Sequence, residues 1–183
     1  MELSSTLQIS RDPLLAALQF VRQGLTVRAL EPGRTRLLQS SSVDPSSITT
    51  EEQVREAWGT ERTPNLGLWT GEASWDRVTV EFWHPAFRRW HEILQAAGVF
   101  RSACAVVAVG DRRVDYWFRG TSRGCVSYGG DFIRIVGARG TLIAPPSRRA
   151  TFGWTFTKQP GPGNVAPRAE IKKIVSSLEA LER

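Results

Sequence analysis

Histidine, methionine, tyrosine and lysine are all scarce in these 183 residues: two His, one Met, two Tyr, and Lys only at positions 158, 172 and 173. Cysteine is as rare. Cys104 and Cys125 stand alone, with no CxxC and no Cys/His cluster, which argues against a zinc site or a disulfide framework. Cys104 lies in ACAVVAV and reads as a small core residue. No apolar run approaches the roughly 20 residues that a bilayer-spanning helix needs. The opening MELSSTLQIS also lacks a basic-then-apolar leader pattern, so the expectation is a cytoplasmic protein with no membrane partner. Neither His84 nor His91 has a Ser or Cys nucleophile in an identifiable motif beside it, which leaves hydrolase chemistry unsupported.

What the chain does have is arginine, tryptophan and an ordinary apolar fraction. Hydrophobic residues make up 41% and charged residues 23%, as in a soluble globular protein, and the length suffices for one large domain with a buried core. The net charge is +6 and arginine carries nearly all of the basic excess. Arginine forks match phosphate oxygens, so the balance suits nucleic acid; a genome rich in arginine codons yields the same balance. Seven Trp suit a core, an interface or stacking on bases.

Taken in order, Asp12-Pro13 opens a helix through Leu14, Leu15, Leu18 and Val21, and Gly24 stops it. LTVRAL (residues 25–30) predicts a strand and EPGR a turn; residues 37–47 are Ser-rich and predict a loop. Thr50 and Gln53 form a capping box for a helix through Trp58. NLGLWTG and RVTVEF follow as strands. Pro85 then starts a helix with Phe87, Trp90, Ile93, Leu94 and Ala97 as its apolar stripe. ACAVVAV and VDYWFR predict a hairpin across GDRR, and FIRIVG and TLIAPPS predict a second pair joined through residues 138–140. Residues 167–183 predict an amphipathic terminal helix, packed on the domain or joining it to a partner.

Several of these stretches, in this order, resemble the primase-polymerase domain of the archaeo-eukaryotic primase superfamily in its bacterial, phage and plasmid form. The opening helix and strand resemble its "A-L-x-x-x-x-x-G-x-x-V-x-x-L-x-P-G" run. SVDPSSITTEEQVREAW resembles "T-x-D-x-x-x-I-x-x-W", NLGLWTG resembles "N-I-G-I-x-T-G", and PPSRRATFGWTF resembles "P-P-S-x-x-x-x-G-x-x-Y-x-W". The match covers roughly residues 14–156 of what reads as a single domain. It implies an α+β fold whose sheet core is related to the RNA-recognition fold, mixed or antiparallel and flanked by helices. It also implies a DNA and nucleotide role within a replication or mobile-element system.

Nucleotidyl transfer needs divalent metals, and hard cations need clustered carboxylates. The family supplies an Asp-x-Asp or Asp-x-Glu pair at a strand end, where alternation puts i and i+2 on one face, plus an Asp on a later strand. Here the pair falls on Glu81 and Trp83, and the later Asp on Arg134. The family's phosphate-contacting histidine in "G-G-x-H" falls on Asp115. The resemblance thus implies a degenerate centre of Glu81, Asp115, Trp83 and Arg134, in which the three charged groups form a buried ion network in place of a metal. No cofactor is expected; Mg or Mn enters only if Glu81 and Asp115 form a rearranged metal pair.

Residues implied to contact nucleic acid or nucleotide are Arg34 or Arg36, Asn65, Arg112, Arg113, Ser147, Arg148 and Arg149. For Arg34 and Arg36 the alternative is a plain surface arginine after a turn. Three functions remain open at this point. They are a non-catalytic module binding DNA or nucleotide, an active primase or polymerase with a rearranged site, and a protein-interaction or regulatory domain; a larger replication protein or partner would be engaged through the terminal helix. Trp83 is either a stacking platform or a plug in the vacated pocket.

Overall fold

The computed structural model describes residues 8–39, 43–59, 63–69, 75–81, 85–119, 125–130, 132–136 and 140–161, with Ser176 and Ala180. Helix α1 (Pro13–Arg22) begins where Asp12 accepts a hydrogen bond from the Leu15 amide, and Gly24 follows its end in the left-handed region (φ 77°). β1 (Val27–Leu30) leads through the turn and loop to α2 (Glu51–Trp58). Thr50 and Gln53 close a reciprocal capping box there. β2 (Asn65–Trp69) and β3 (Trp75–Glu81) precede α3 (Pro85–Ala96). The remaining strands are β4 (Ala105–Val109), β5 (Arg113–Arg119), β6 (Cys125–Tyr128), β7 (Ile133–Val136), β8 (Thr141–Ala144) and β9 (Trp154–Lys158).

The fold is α+β, built on two antiparallel sheets. One has the order β1-β2-β8 and the other β6-β7-β3-β5-β4-β9. Two faces of the larger sheet do different work. Val106, Val114, Tyr116, Phe118 and Ile133 pack with Phe87, Trp90 and Leu94 of α3. On this side Phe100 stacks on Tyr116 with ring centroids 4.1 Å apart. The Tyr116 hydroxyl accepts from Gln95 (2.9 Å) and meets His91 Nε2 at 2.7 Å. The other face contributes Ala105, Val107, Val109 and Trp117 to a core shared with α1, α2 and the smaller sheet.

Three expectations change. FIRIVG and TLIA are not partners. β7 lies between β6 and β3, while β8 pairs with β2. Pairing with β2 buries Leu142 and Ala144 fully in the core around α1 and α2, which a hairpin with β7 would not. Strands β6 and β9 are additional to the sequence reading. Ile93 is 41% exposed although it falls on the apolar stripe, because Phe87, Trp90 and Leu94 already cover the sheet. The predicted terminal helix falls outside the described residues except for Ser176 and Ala180, both helical. Among the described residues no helix is long and apolar enough to cross a membrane.

Candidate anion-binding clefts between the sheets

The row that should hold the chemistry is fixed by register. Thr79 of β3 faces Asp115 of β5 on one side and Arg134 of β7 on the other; Glu81 faces Arg113. Partners directly opposite share a face, and so do residues two apart along a strand, so Thr79, Glu81, Arg113, Asp115 and Arg134 all lie on one face. The expected network forms with a different arginine. Asp115, 0% exposed, takes both branches of the Arg113 fork (2.8 Å from Nε to Oδ1, 2.7 Å from Nη2 to Oδ2). The Thr79 hydroxyl also donates to Oδ1 at 2.8 Å. Arg113 opens strand β5 rather than standing in the turn, which aims its side chain along the same face as Asp115. Arg134 is exposed, and its strand lies two strands from that of Asp115, about 10 Å away across the sheet.

Burial alone would lower the Arg113 pKa, but the Asp115 carboxylate and, beyond it, that of Glu81 more than offset this. The guanidinium is held charged, above its ordinary value. A divalent metal placed between Glu81 and Asp115 would meet this cation first. The residues present therefore do not fit a two-carboxylate metal centre. Among the described residues, no group of three side chains capable of metal ligation occurs either. Trp83 and its neighbours Phe82 and His84 lie outside the described residues.

A second constellation forms where β2 begins and β8 ends. Asn65 donates from Nδ2 to the carbonyls of Arg34 (2.9 Å) and Arg148 (2.7 Å) and accepts from the Arg148 amide (2.9 Å). Ser147 accepts from the Leu66 amide (2.8 Å) and donates to the Leu66 carbonyl (3.1 Å). At 7% and 2% exposure, both have their hydrogen bonds committed to backbone. Asn65 and Ser147 are thus positioning residues that also line the clefts beside the loop they hold. What they position is a tight loop, closed by Arg149 N–H to Phe152 O (2.7 Å) and Trp154 N–H to Ser147 O (3.0 Å). Arg148 and Arg149 are exposed on it.

Three clefts adjoin this loop. One of about 540 Å³ is lined by Arg11, Pro64, Asn65, Arg148 and Arg149 among others. A second, about 360 Å³, shares Arg11 and Arg148 and is walled by Trp154 and Phe156. A third, about 300 Å³, runs between the sheets and is lined by Thr35, Arg113, Thr141, Ile143, Arg149, Phe152 and Trp154. No carboxylate is among the described residues lining any of them. A concave surface lined by one sign of charge focuses its field on an anion.

The remaining expected contacts are dispersed. Arg34 and Arg36 are exposed and both pair with Glu31. Arg112 is exposed at the β4–β5 turn, 4.0 Å from Asp111. Sequence reasoning missed Arg11, Thr35, Thr79 and Thr141. Alternation back from Glu81 would have found Thr79; no local signal joins Arg11 to a loop more than a hundred residues away. Comparison with protein-family models gives no match, and comparison with curated proteins gives none.

Proposed function

We propose that the chain is a primase-polymerase-like domain that binds DNA or nucleotide without catalysing nucleotidyl transfer. The observation that carries this reading is the set of three adjoining clefts, lined by Arg11, Arg113, Arg148 and Arg149 with no lining carboxylate among the described residues. Phosphate contacts supply most sequence-independent affinity, and arginines on a pinned loop present their forks without a large ordering cost. Against transfer chemistry stands the Asp115 carboxylate, neutralised by Arg113 where a metal ligand would have to be free.

The test is fluorescence anisotropy with single-stranded and duplex DNA across salt concentrations. Wild type is expected to bind at low salt, with affinity falling as salt rises. The Arg148→Ala/Arg149→Ala variant should weaken binding and reduce the salt slope on single strands by roughly 1.4, about 0.7 for each lost phosphate contact. Arg112→Ala/Arg113→Met/Asp115→Leu is the parallel variant, which removes both cations without stranding Asp115. No wild-type binding at low salt, or unchanged affinity in both variants, would overturn the reading and favour a protein-interaction domain.

A further inference from the structure

Arg113 is anchored on one side and open on the other. Nε and Nη2 are tied to Asp115, which leaves Nη1 with no partner among the described residues. The side chain is 22% exposed and lines the 300 Å³ cleft. Arg149 lines the same cleft, with Nη2 3.4 Å from Thr35 Oγ1 and its guanidinium carbon 5.8 Å from the Phe152 ring centroid. Thr141 Oγ1 accepts from Arg28 Nη1, so its own hydrogen remains to be donated. Arg28 adds a third cation behind it, fixed by Ser46 O (3.0 Å) and by the Trp69 ring. Ile143, Phe152 and Trp154 complete an apolar wall. The volume stands at the low end of small-ligand sites, roughly 300–1,000 Å³.

We propose that this cleft is a metal-independent site for one phosphate group, with Arg113 as the fixed donor, Arg149 as the adjustable one, and Thr35 and Thr141 as hydroxyl donors. This deepens the anion-binding reading above and rests on it, though not on the ligand being a DNA strand. A guanidinium that a buried carboxylate already holds in place loses little freedom when an anion arrives. The Arg113–Asp115 pair is neutral and the Glu81 carboxylate also acts on Arg113, so the positive charge that selects the anion comes chiefly from Arg149, with Arg28, itself near Asp44, behind Thr141. The phosphate can belong to the free ion, to a nucleotide or to a strand, and the three are distinguished by titration.

The experiment is calorimetry in EDTA with inorganic phosphate, a nucleoside triphosphate and a single-stranded oligonucleotide. Variants are Arg149→Ala, Thr35→Val and Arg113→Met/Asp115→Leu, the last chosen to remove the cation without stranding its buried partner. Wild type should bind at least one probe without metal. Arg149→Ala and the Arg113 double variant should each weaken that binding roughly tenfold or more, and the tightest probe identifies the source. Binding that needs Mg, or that none of the variants alters, would overturn the proposal. Oligonucleotide binding that responds to Arg11→Ala/Arg148→Ala but not to the Arg113 double variant overturns this site and leaves the DNA reading standing. Phosphate binding with no oligonucleotide binding supports the site and rejects the strand.

Discussion

Gly67 sits at the centre of β2 with Arg28 on one neighbouring strand and Thr141 on the other, and those two side chains meet over it. A Cβ at this position would come within 2.8 Å of Thr141 Cγ2, 3.1 Å of Arg28 Cβ and 3.2 Å of Leu30 Cδ1. All three neighbours are held by strand pairing, so none moves freely. Gly67→Ala should destabilise the fold by about 1–3 kcal/mol in urea denaturation, the usual cost of overpacking. It should also loosen the Arg28–Thr141 contact behind the proposed phosphate site. The glycine was readable as a place of close approach; that the approach is made by three side chains was not.

The Arg113–Asp115 pair makes an opposite kind of prediction. Removing Asp115 alone strands a largely buried cation; removing both partners strands neither of the two charges and costs only the acceptor of the Thr79 hydroxyl. Asp115→Leu should cost about 3 kcal/mol, toward the low end for a broken buried pair because Arg113 retains some solvent. Arg113→Met/Asp115→Leu should be markedly more stable than that single variant in the same urea titration. A double variant as unstable as the single one would mean that packing, not charge, holds this face together.

Among the elements, α3 carries a titration that can be read in solution. Burial of His91 lowers its pKa from 6.5 to about 4, because the charged imidazolium would lose water it cannot replace among Phe100 and Tyr116. In the unfolded chain the same histidine titrates near its ordinary value. Between these two values the unfolded state binds more protons than the folded one. The stability that His91 contributes is therefore present above about pH 6.5 and is lost as pH falls toward 4. Urea midpoints measured from pH 7.5 to 4.5 should fall in wild type and fall less in His91→Gln, which keeps a polar side chain without the titration. Equal slopes would count against it.

Element by element, the sequence was legible where one short signal decides the outcome. Asp12-Pro13, the Thr50 and Gln53 box, and the β4–β5 hairpin all came out as read. It was not legible where partners are distant. TLIA after FIRIVG looks like the second arm of a hairpin, yet β8 finds β2, more than seventy residues earlier. Alternation gives the face of a strand but not its neighbour. The candidate site shares this division. The resemblance placed Glu81, Asp115 and Arg134 together; alternation puts Arg113, two residues from Asp115 on the same strand, on that face too, but only the side-chain geometry shows that it is the group whose fork closes on Asp115.

At the scale of the whole molecule, the space between the two sheets decides what the protein can do. Around Thr79, the face of the larger sheet sets Glu81 and Asp115 against Arg113 and Arg134, so the acids there are balanced by cations before any ion arrives. A divalent cation that must bridge a nucleophile and a triphosphate needs uncommitted carboxylate oxygens. Those of Asp115 accept from Arg113 and Thr79. Primer extension and primer synthesis with Mg or Mn should therefore give no product. Installing the ligands of the family that the sequence resembles, with Trp83→Asp, Asp115→His and Arg134→Asp together, should fail to create tight metal binding by calorimetry. Arg113 would then stand unpaired at the centre of the new site. Adding Arg113→Val to that triple variant removes the cation, and measurable Mn affinity is expected only then. Nucleotide incorporation by the wild type that Glu81→Ala abolishes would show instead that Glu81 works with ligands outside this row.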